Sequence, residues 1–130
     1  MLYDQVYTVG FFNNFHRGHL ELLNSMRKKG KKLFVGLYDD QHMKISKNLK
    51  IDEYQPLEVR LEKIKEYAEV VFVIPSLDPE MYLRMIVDPS KNISKCFMRG
   101  GEDQYYTGWK WIKNNMNVML IDKIYHNTFF

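Results

Sequence analysis

The sequence predicts an α/β fold with a five-stranded parallel sheet and helices on both faces. Five short apolar runs alternate with four helical patterns, and no regular hairpin signals separate the runs. Such alternation is typical of parallel strands joined by right-handed helical crossovers. The length of 130 residues, with 45% hydrophobic and 27% charged residues, suits one hydrophobic core. We therefore expect a single domain that spans residues 1–130.

Apolar runs bounded by turn residues mark the five strands. They cover Val6–Phe12, Leu33–Tyr38, Val70–Ile74, Lys95–Met98 and Asn117–Ile121. The polar, lysine-rich stretch Asp39–Gln55 follows the second strand and lacks clean periodicity. Ligands of parallel sheets bind beyond the carboxyl ends of the strands, so we expect this stretch to be a loop over the site.

Apolar residues recur at helical spacing between the strands, most clearly at Leu20, Leu22, Leu23 and Met26. The predicted helices are His19–Lys29, Pro56–Tyr67, Pro79–Val87 and Thr107–Asn114. Strands and helices then alternate from the first strand to the last, which predicts a Rossmann-like arrangement.

Composition excludes several classes of protein. Cys96 is the sole cysteine, so an internal disulfide is excluded and a structural zinc site is disfavoured. Neither a leader pattern nor an apolar stretch of membrane-spanning length is present, which predicts a cytoplasmic protein without integral membrane contact. The formal charge of +3 suits phosphorylated small molecules. Nucleic acid is disfavoured because aromatic residues are not interleaved with the lysines.

The segment GFFNNFHRGH, residues 10–19, leaves the first predicted strand and opens the first helix. Backbone N–H groups and the positive end of the helix dipole meet at such a place and favour a phosphate group. His16 and His19 are one helical turn apart, so their imidazoles lie on the same side. They can donate hydrogen bonds to a phosphoryl oxygen. The alternative is that one caps the helix while the other packs on the sheet.

This segment resembles the GxFDxxHxGH signature of the cytidylyltransferase-like nucleotidyltransferases. The resemblance is closest to the glycerol-3-phosphate, choline-phosphate and ethanolamine-phosphate cytidylyltransferases. Further segments similar to the family's motifs are Val35–Asp40, Pro56–Arg60, Val70–Pro75 and Arg99–Asp103. The resemblance implies transfer of CMP from CTP to a phosphorylated small alcohol, with release of pyrophosphate and with Mg2+ as cofactor.

The resemblance also implies roles for individual residues. The catalytic residues would be His16, His19 and Arg60, with Arg60 as a bidentate fork on phosphate. An exposed helix arginine is the alternative for Arg60. Lys44 and Lys47 would hold the acceptor phosphate. The nucleotide would be bound by Gly10, Phe11, Phe12, Asn13, Gly18, Gly100, Gly101, Asp103, Lys123 and Thr128.

Three departures from the family pattern keep alternatives open. Asn13 replaces the signature's aspartate, and the closing motif is represented only by Lys123–Thr128. Val71 and Phe72 replace an acidic pair in a segment that commonly forms the family's dimer interface, so we expect a homodimer with an apolar contact. The alternatives are an adenylyltransferase of the same superfamily and a nucleotide-binding homologue without activity.

Overall fold

The computed structural model of the chain describes residues 2–41, 54–75, 78–100 and 108–121. Five strands and four helices alternate along these ranges. The strands are β1 Tyr3–Gly10, β2 Gly30–Tyr38, β3 Val70–Ile74, β4 Lys95–Gly100 and β5 Asn117–Ile121. The helices are α1 Arg17–Arg27, α2 Leu57–Ile64, α3 Glu80–Ile86 and α4 Trp109–Asn115.

All five strands are parallel and form one sheet in the order β3-β2-β1-β4-β5. The strand order reverses at β1, which pairs with β2 on one side and β4 on the other. Parallel sheets of this kind bind ligands outside the carboxyl ends of the strands at the point of reversal. The predicted fold class is confirmed, and the loop after β1 lies at that point.

Side chains of alternate residues along the central strands enter two separate cores. Val6, Leu33 and Cys96 belong to one core, which α1 and α2 cover with Leu22, Leu23, Met26 and Ile64. Tyr7, Phe34 and Phe97 follow them in sequence and belong to the other core, which α3 and α4 cover with Leu83 and Ile112. Helices therefore protect both faces of the sheet, as the alternation of strands and helices predicts.

The predicted boundaries of β3 and β5 are confirmed, whereas that of β1 is shifted. The sequence predicts a first strand over Val6–Phe12, but the strand runs over Tyr3–Gly10. Phe11 and Phe12 are buried, which explains their apolar character, yet Phe12 has a φ of 49° and cannot continue a strand. Helix α1 begins at Arg17, two residues before the predicted start.

The two edge strands carry exposed apolar residues. Val73 of β3 is exposed, with Val71 and Phe72 half-buried, and Val118 and Leu120 of β5 are also exposed. The homodimer through Val71 and Phe72 stays a prediction. In the ranges that are described, every helix is too short or too polar to cross a membrane.

Candidate active site

The loop between β1 and α1 turns sharply before the first helical turn. Phe12 and Asn14 both have a φ of 49°, in the left-handed region that non-glycine residues seldom adopt. Each such residue costs of order 1–3 kcal/mol and persists only when its surroundings hold it. In this loop the strain coincides with the segment that carries the two histidines.

His16 and His19 form a reciprocal cap at the start of α1. The Nδ1 atom of His16 accepts from the Gly18 N–H at 3.0 Å, and the His16 side chain also meets the His19 backbone N–H. In return, the Nδ1 atom of His19 accepts from the His16 N–H at 3.2 Å. A capping box is usually made by Ser or Thr with Glu or Gln, and imidazoles fill both places here.

The cap assigns a tautomer to each ring. A ring nitrogen that accepts a hydrogen bond carries no proton, so in each neutral imidazole the proton is on Nε2. His16 is exposed and His19 is 1% exposed, and their ring centroids are 4.0 Å apart. Two Nε2–H donors on adjacent rings suit an oxygen that carries developing negative charge.

The cap corrects the expectation for the first N–H groups of α1, and it makes the two alternative roles of the histidines compatible. The sequence predicts that the first N–H groups of α1 are available to a phosphate, but the His16 ring engages those of Gly18 and His19. From the sequence, capping and catalysis are alternative roles for the pair. Because the cap uses Nδ1 and leaves Nε2 as the donor atom, the two roles are compatible in one ring.

Arg60 lies inside the protein, and protein groups surround its guanidinium. The side chain is 0% exposed. Its Nη1 donates to the carbonyls of Phe11 at 3.0 Å and Tyr38 at 2.8 Å, and its Nε donates to the Gln55 carbonyl at 2.9 Å. Its Nη2 pairs with the Asp40 carboxylate at 2.8 Å.

The prediction of an exposed helix arginine is therefore wrong, whereas the role of Arg60 as a phosphate fork stays a prediction. The rigid, planar guanidinium has donors in several directions, which is why it can satisfy carbonyls from several loops at once. Arg60 joins the ends of β1 and β2 to the start of α2. Its bond to the Phe11 carbonyl holds the start of the loop that carries His16.

Asn13 gives the same loop a second attachment. Its Oδ1 accepts from the Gln55 N–H at 2.8 Å, and the Gln55 Oε1 accepts from the Asn14 N–H at 3.2 Å. An amide oxygen satisfies this contact as well as a carboxylate would, so the loop keeps its attachment with Asn13 in place of aspartate. Gln55 had no sequence signal, because nothing in its neighbours predicts a partner in the β1–α1 loop.

Gly10 and Gly100 end β1 and β4 at the carboxyl edge of the sheet, and Phe11 is buried just after β1. The Phe11 ring contacts the Tyr38 ring, with centroids 4.9 Å apart, and both pack with Tyr54. Burial raises the pKa of Tyr38 to about 12, against the opposing charge of Arg99. The structure thus places Gly10, Phe11, Phe12, Asn13 and Gly18 in the same loop region as the histidines, with Gly100 at the same edge.

The remaining predicted site residues lie outside the described residues. They are Lys44, Lys47, Gly101, Asp103, Lys123 and Thr128. Across the described ranges, no three Asp, Glu, His or Cys side chains form a group that could hold a metal ion. Asn13 offers an amide oxygen where the family signature has a carboxylate, and Mg2+ as cofactor stays a prediction.

Two of the cavities that described residues line contain neither His16 nor His19 in their walls. One of about 720 Å3 flanks α2, and its lining includes Phe15, Glu62, Lys63 and Glu66. Its two carboxylates make it unsuitable for a triphosphate. The other, of about 430 Å3, lies at the amino ends of β4 and β5, at the opposite edge of the sheet from the histidines.

Comparison with known proteins identifies the family. The sequence model of the cytidylyltransferase-like family matches residues 7–127. A phosphopantetheine adenylyltransferase from Mycoplasma capricolum subsp. capricolum is 28% identical over 119 residues, which are 85% of this chain and 78% of that protein.

Solved structures of other proteins share the fold. The lipopolysaccharide core biosynthesis protein from Thermoplasma volcanium GSS1 has a TM-score of 0.71 at 17% identity, covering 92% of this chain and 97% of that one. A bifunctional NMN adenylyltransferase/ADP ribose pyrophosphatase from Francisella tularensis, solved with AMP and a Mn ion, has a TM-score of 0.64 at 20% identity; the match covers 93% of this chain and 37% of that one. With the family match over nearly the whole chain, the protein belongs to the cytidylyltransferase-like family and is a nucleotidyltransferase.

Proposed function

We propose that this protein transfers AMP from ATP to a phosphorylated small molecule. The observation that carries the proposal is the pair of Nε2–H donors that the cap of α1 holds side by side. ATP is favoured over CTP as the nucleotide because the curated relative is an adenylyltransferase. The proposal therefore departs from CTP, which the sequence motifs favoured.

In the reaction, one bond forms and one bond breaks at the α-phosphorus. A phosphate oxygen of the acceptor attacks it, the bond to the bridging oxygen breaks, and pyrophosphate leaves with the electron pair. The step needs no proton from the enzyme, so catalysis consists of positioning and charge stabilisation. His16 and His19 would donate to a non-bridging oxygen as its negative charge increases.

Phosphopantetheine is the first acceptor to test, because it is the one that the curated relative's name gives. Glycerol 3-phosphate, phosphocholine and phosphoethanolamine are the acceptors that the sequence motifs favoured. Lys44 and Lys47 are proposed to hold the acceptor phosphate. The turn at Gly101 and Asp103, with Lys123 and Thr128, is proposed to bind the nucleotide.

Phosphorus NMR can test the proposal in one experiment. The protein is incubated with Mg2+, with ATP or CTP in separate tubes, and with each acceptor in turn. We expect pyrophosphate and a new diphosphate diester signal in a tube with ATP. A product formed only with CTP would return the assignment to the cytidylyl branch. Nucleotide binding without product for any acceptor would favour the inactive homologue.

Variants that keep the helix cap separate chemistry from folding. His16→Asn retains a good N-cap acceptor, and His19→Gln retains the partner that capping boxes use at this position. His16→Asn has a shorter side chain whose amide does not reach the former Nε2 position, whereas His19→Gln keeps an amide N–H donor and serves as the conservative comparison. Loss of one such donor lowers turnover about 10²–10³-fold, so we expect a fall of this size in His16→Asn, with its melting temperature nearly unchanged, and a smaller fall in His19→Gln. Turnover near the wild-type rate in both would refute the assigned role.

A further inference from the structure

A continuous stack of rings runs from the end of α2 to the two histidines. The Tyr67 and Phe15 rings are stacked with nearly parallel planes, with centroids 5.3 Å apart and an interplanar angle of 11°. Phe15 lies 5.5 Å from His19, and His19 lies 4.0 Å from His16. The rings thus follow one another in the order Tyr67, Phe15, His19, His16. Tyr67 and His16, at the two ends of this ring stack, come from distant parts of the sequence.

The outer end of this ring stack is anchored. Tyr67 follows α2, and its carbonyl accepts from Arg27 of α1 at 2.8 Å. The Nζ atom of Lys63 lies 5.4 Å from the Phe15 centroid and 5.8 Å from the Tyr67 centroid, within the range of a cation–π contact for both. The two helices that cover this face of the sheet therefore hold the outer rings.

The cap and the stack together determine where the His19 ring lies. The bond from the His16 N–H restrains Nδ1, but at 3.2 Å it is at the long end of the hydrogen-bond range, so by itself it still allows the ring to tilt about its Cβ–Cγ bond. Phe15 on one side, at 32° to the imidazole, and Phe12, at 5.4 Å and 51°, restrict the plane of the ring. With Nδ1 and the plane both fixed, the direction of Nε2 follows.

We infer that Phe15 is a positioning residue for the histidine pair, and that Tyr67 and Lys63 support it. Phe15 occupies a position that the GxFDxxHxGH pattern leaves open, so the motif gave no signal for it. Transition-state donors must be held to a fraction of an ångström, since a shift of 1 Å can lower the rate about 100-fold. Phe15 acts on turnover through His19 and does not touch the substrate. The part of the inference that concerns turnover rests on the proposed function.

The test replaces the flat ring with a side chain of similar volume. Phe15→Leu is compared with Phe15→Tyr, which keeps the ring, and with Phe34→Leu as a matched control. Phe34 stacks on Tyr7 at 4.5 Å in the core on the other face of the sheet, so its loss costs stability without loosening the histidines. Nitrogen-15 NMR of the histidine side chains reports the tautomer, and steady-state kinetics report turnover.

We expect His19 in the Nε2–H form in the wild-type protein, in Phe15→Tyr and in Phe34→Leu. In Phe15→Leu we expect a mixture of tautomers, because a ring that tilts weakens the hydrogen bond at Nδ1 that sets the tautomer. Turnover should fall about 10-fold in Phe15→Leu while the KM for the nucleotide changes less than 2-fold. Unchanged tautomer and turnover in Phe15→Leu would overturn the inference. If Phe15→Leu fails to fold, Tyr67→Leu removes the outer ring alone and is read in the same way.

The two proposals fail separately. A wild-type protein without turnover, whose Phe15→Leu variant still shows the tautomer change, refutes the proposed function and supports the positioning role. Turnover in the wild-type protein, with the same His19 signals in all variants, refutes the positioning role alone.

Discussion

At both the carboxyl and the amino ends of the strands, a cationic side chain binds backbone carbonyls. The two side chains differ in how many separate segments of the chain they join. At the carboxyl edge, Arg60 is 0% exposed and binds three carbonyls and one carboxylate from separate parts of the chain. At the amino end of β4, half-buried Lys95 binds the carbonyls of Asp88 and Ser90, two residues of one loop. A guanidinium fork can join several elements, whereas an ammonium group closes a single loop.

The difference between Arg60 and Lys95 matches the position of the candidate active site, which lies at the carboxyl ends of the strands. The loop that carries His16 has residues with positive φ, and such strain must be held by bonds elsewhere. The loop that Lys95 closes borders a cavity at the far edge, and its described residues carry no positive φ. The contrast indicates that the buried Arg60 guanidinium holds the geometry of the candidate site and also stabilises the fold.

The largest loss of stability is expected from Arg60→Met, which removes the guanidinium and keeps an unbranched apolar side chain. Carbonyls of Phe11, Tyr38 and Gln55 then lose their donor, and a buried acceptor without a partner costs about 1–3 kcal/mol. We expect the free energy of unfolding to fall by about 3–5 kcal/mol, measured by urea titration followed by circular dichroism.

Arg60→Lys serves as the control for charge. A single ammonium group keeps the charge but cannot reach all four acceptors, so we expect an intermediate loss of stability. A stability equal to wild type in Arg60→Lys would show that charge alone matters and would remove the distinction between the two edges.

The second-largest effect is a loss of stability at alkaline pH. Burial raises the pKa of Tyr38 to about 12, whereas an unfolded tyrosine titrates near 10. Between these values the unfolded chain has lost its proton and the folded protein has kept it, so stability falls as pH rises from about 10 to 12. We expect Tyr38 to account for about 2 kcal/mol of that fall.

Tyr38→Phe isolates this contribution, because it keeps the ring contact with Phe11 and removes the titrating hydroxyl. Urea titrations of both proteins at several pH values give the measurement. Parallel curves for the two proteins between pH 10 and 12 would contradict the prediction.

Most of the fold and the proximity of the two candidate histidines were predictable from local patterns. The bounds of β3 and β5 follow from apolar runs between turns, and His16 and His19 follow from a segment that combines a strand end, two glycines and a helix start. The burial of Arg60 was not predictable. Its acceptors are carbonyls that become neighbours only when β1 and β2 pair, and one arginine in a helical pattern gives no sign of them.

The smallest effect is expected from Lys95→Met. Water can replace the lysine at the Asp88 and Ser90 carbonyls, because both residues are only half-buried, so we expect a loss of about 1 kcal/mol. Turnover should stay at the wild-type rate, because the whole sheet separates this loop from the histidines. Lys91→Met changes an exposed lysine of the same cavity and should shift stability by less than about 0.5 kcal/mol. A loss of turnover in Lys95→Met, with Lys91→Met unaffected, would mean that the two edges are coupled and that the division of roles between Arg60 and Lys95 is wrong.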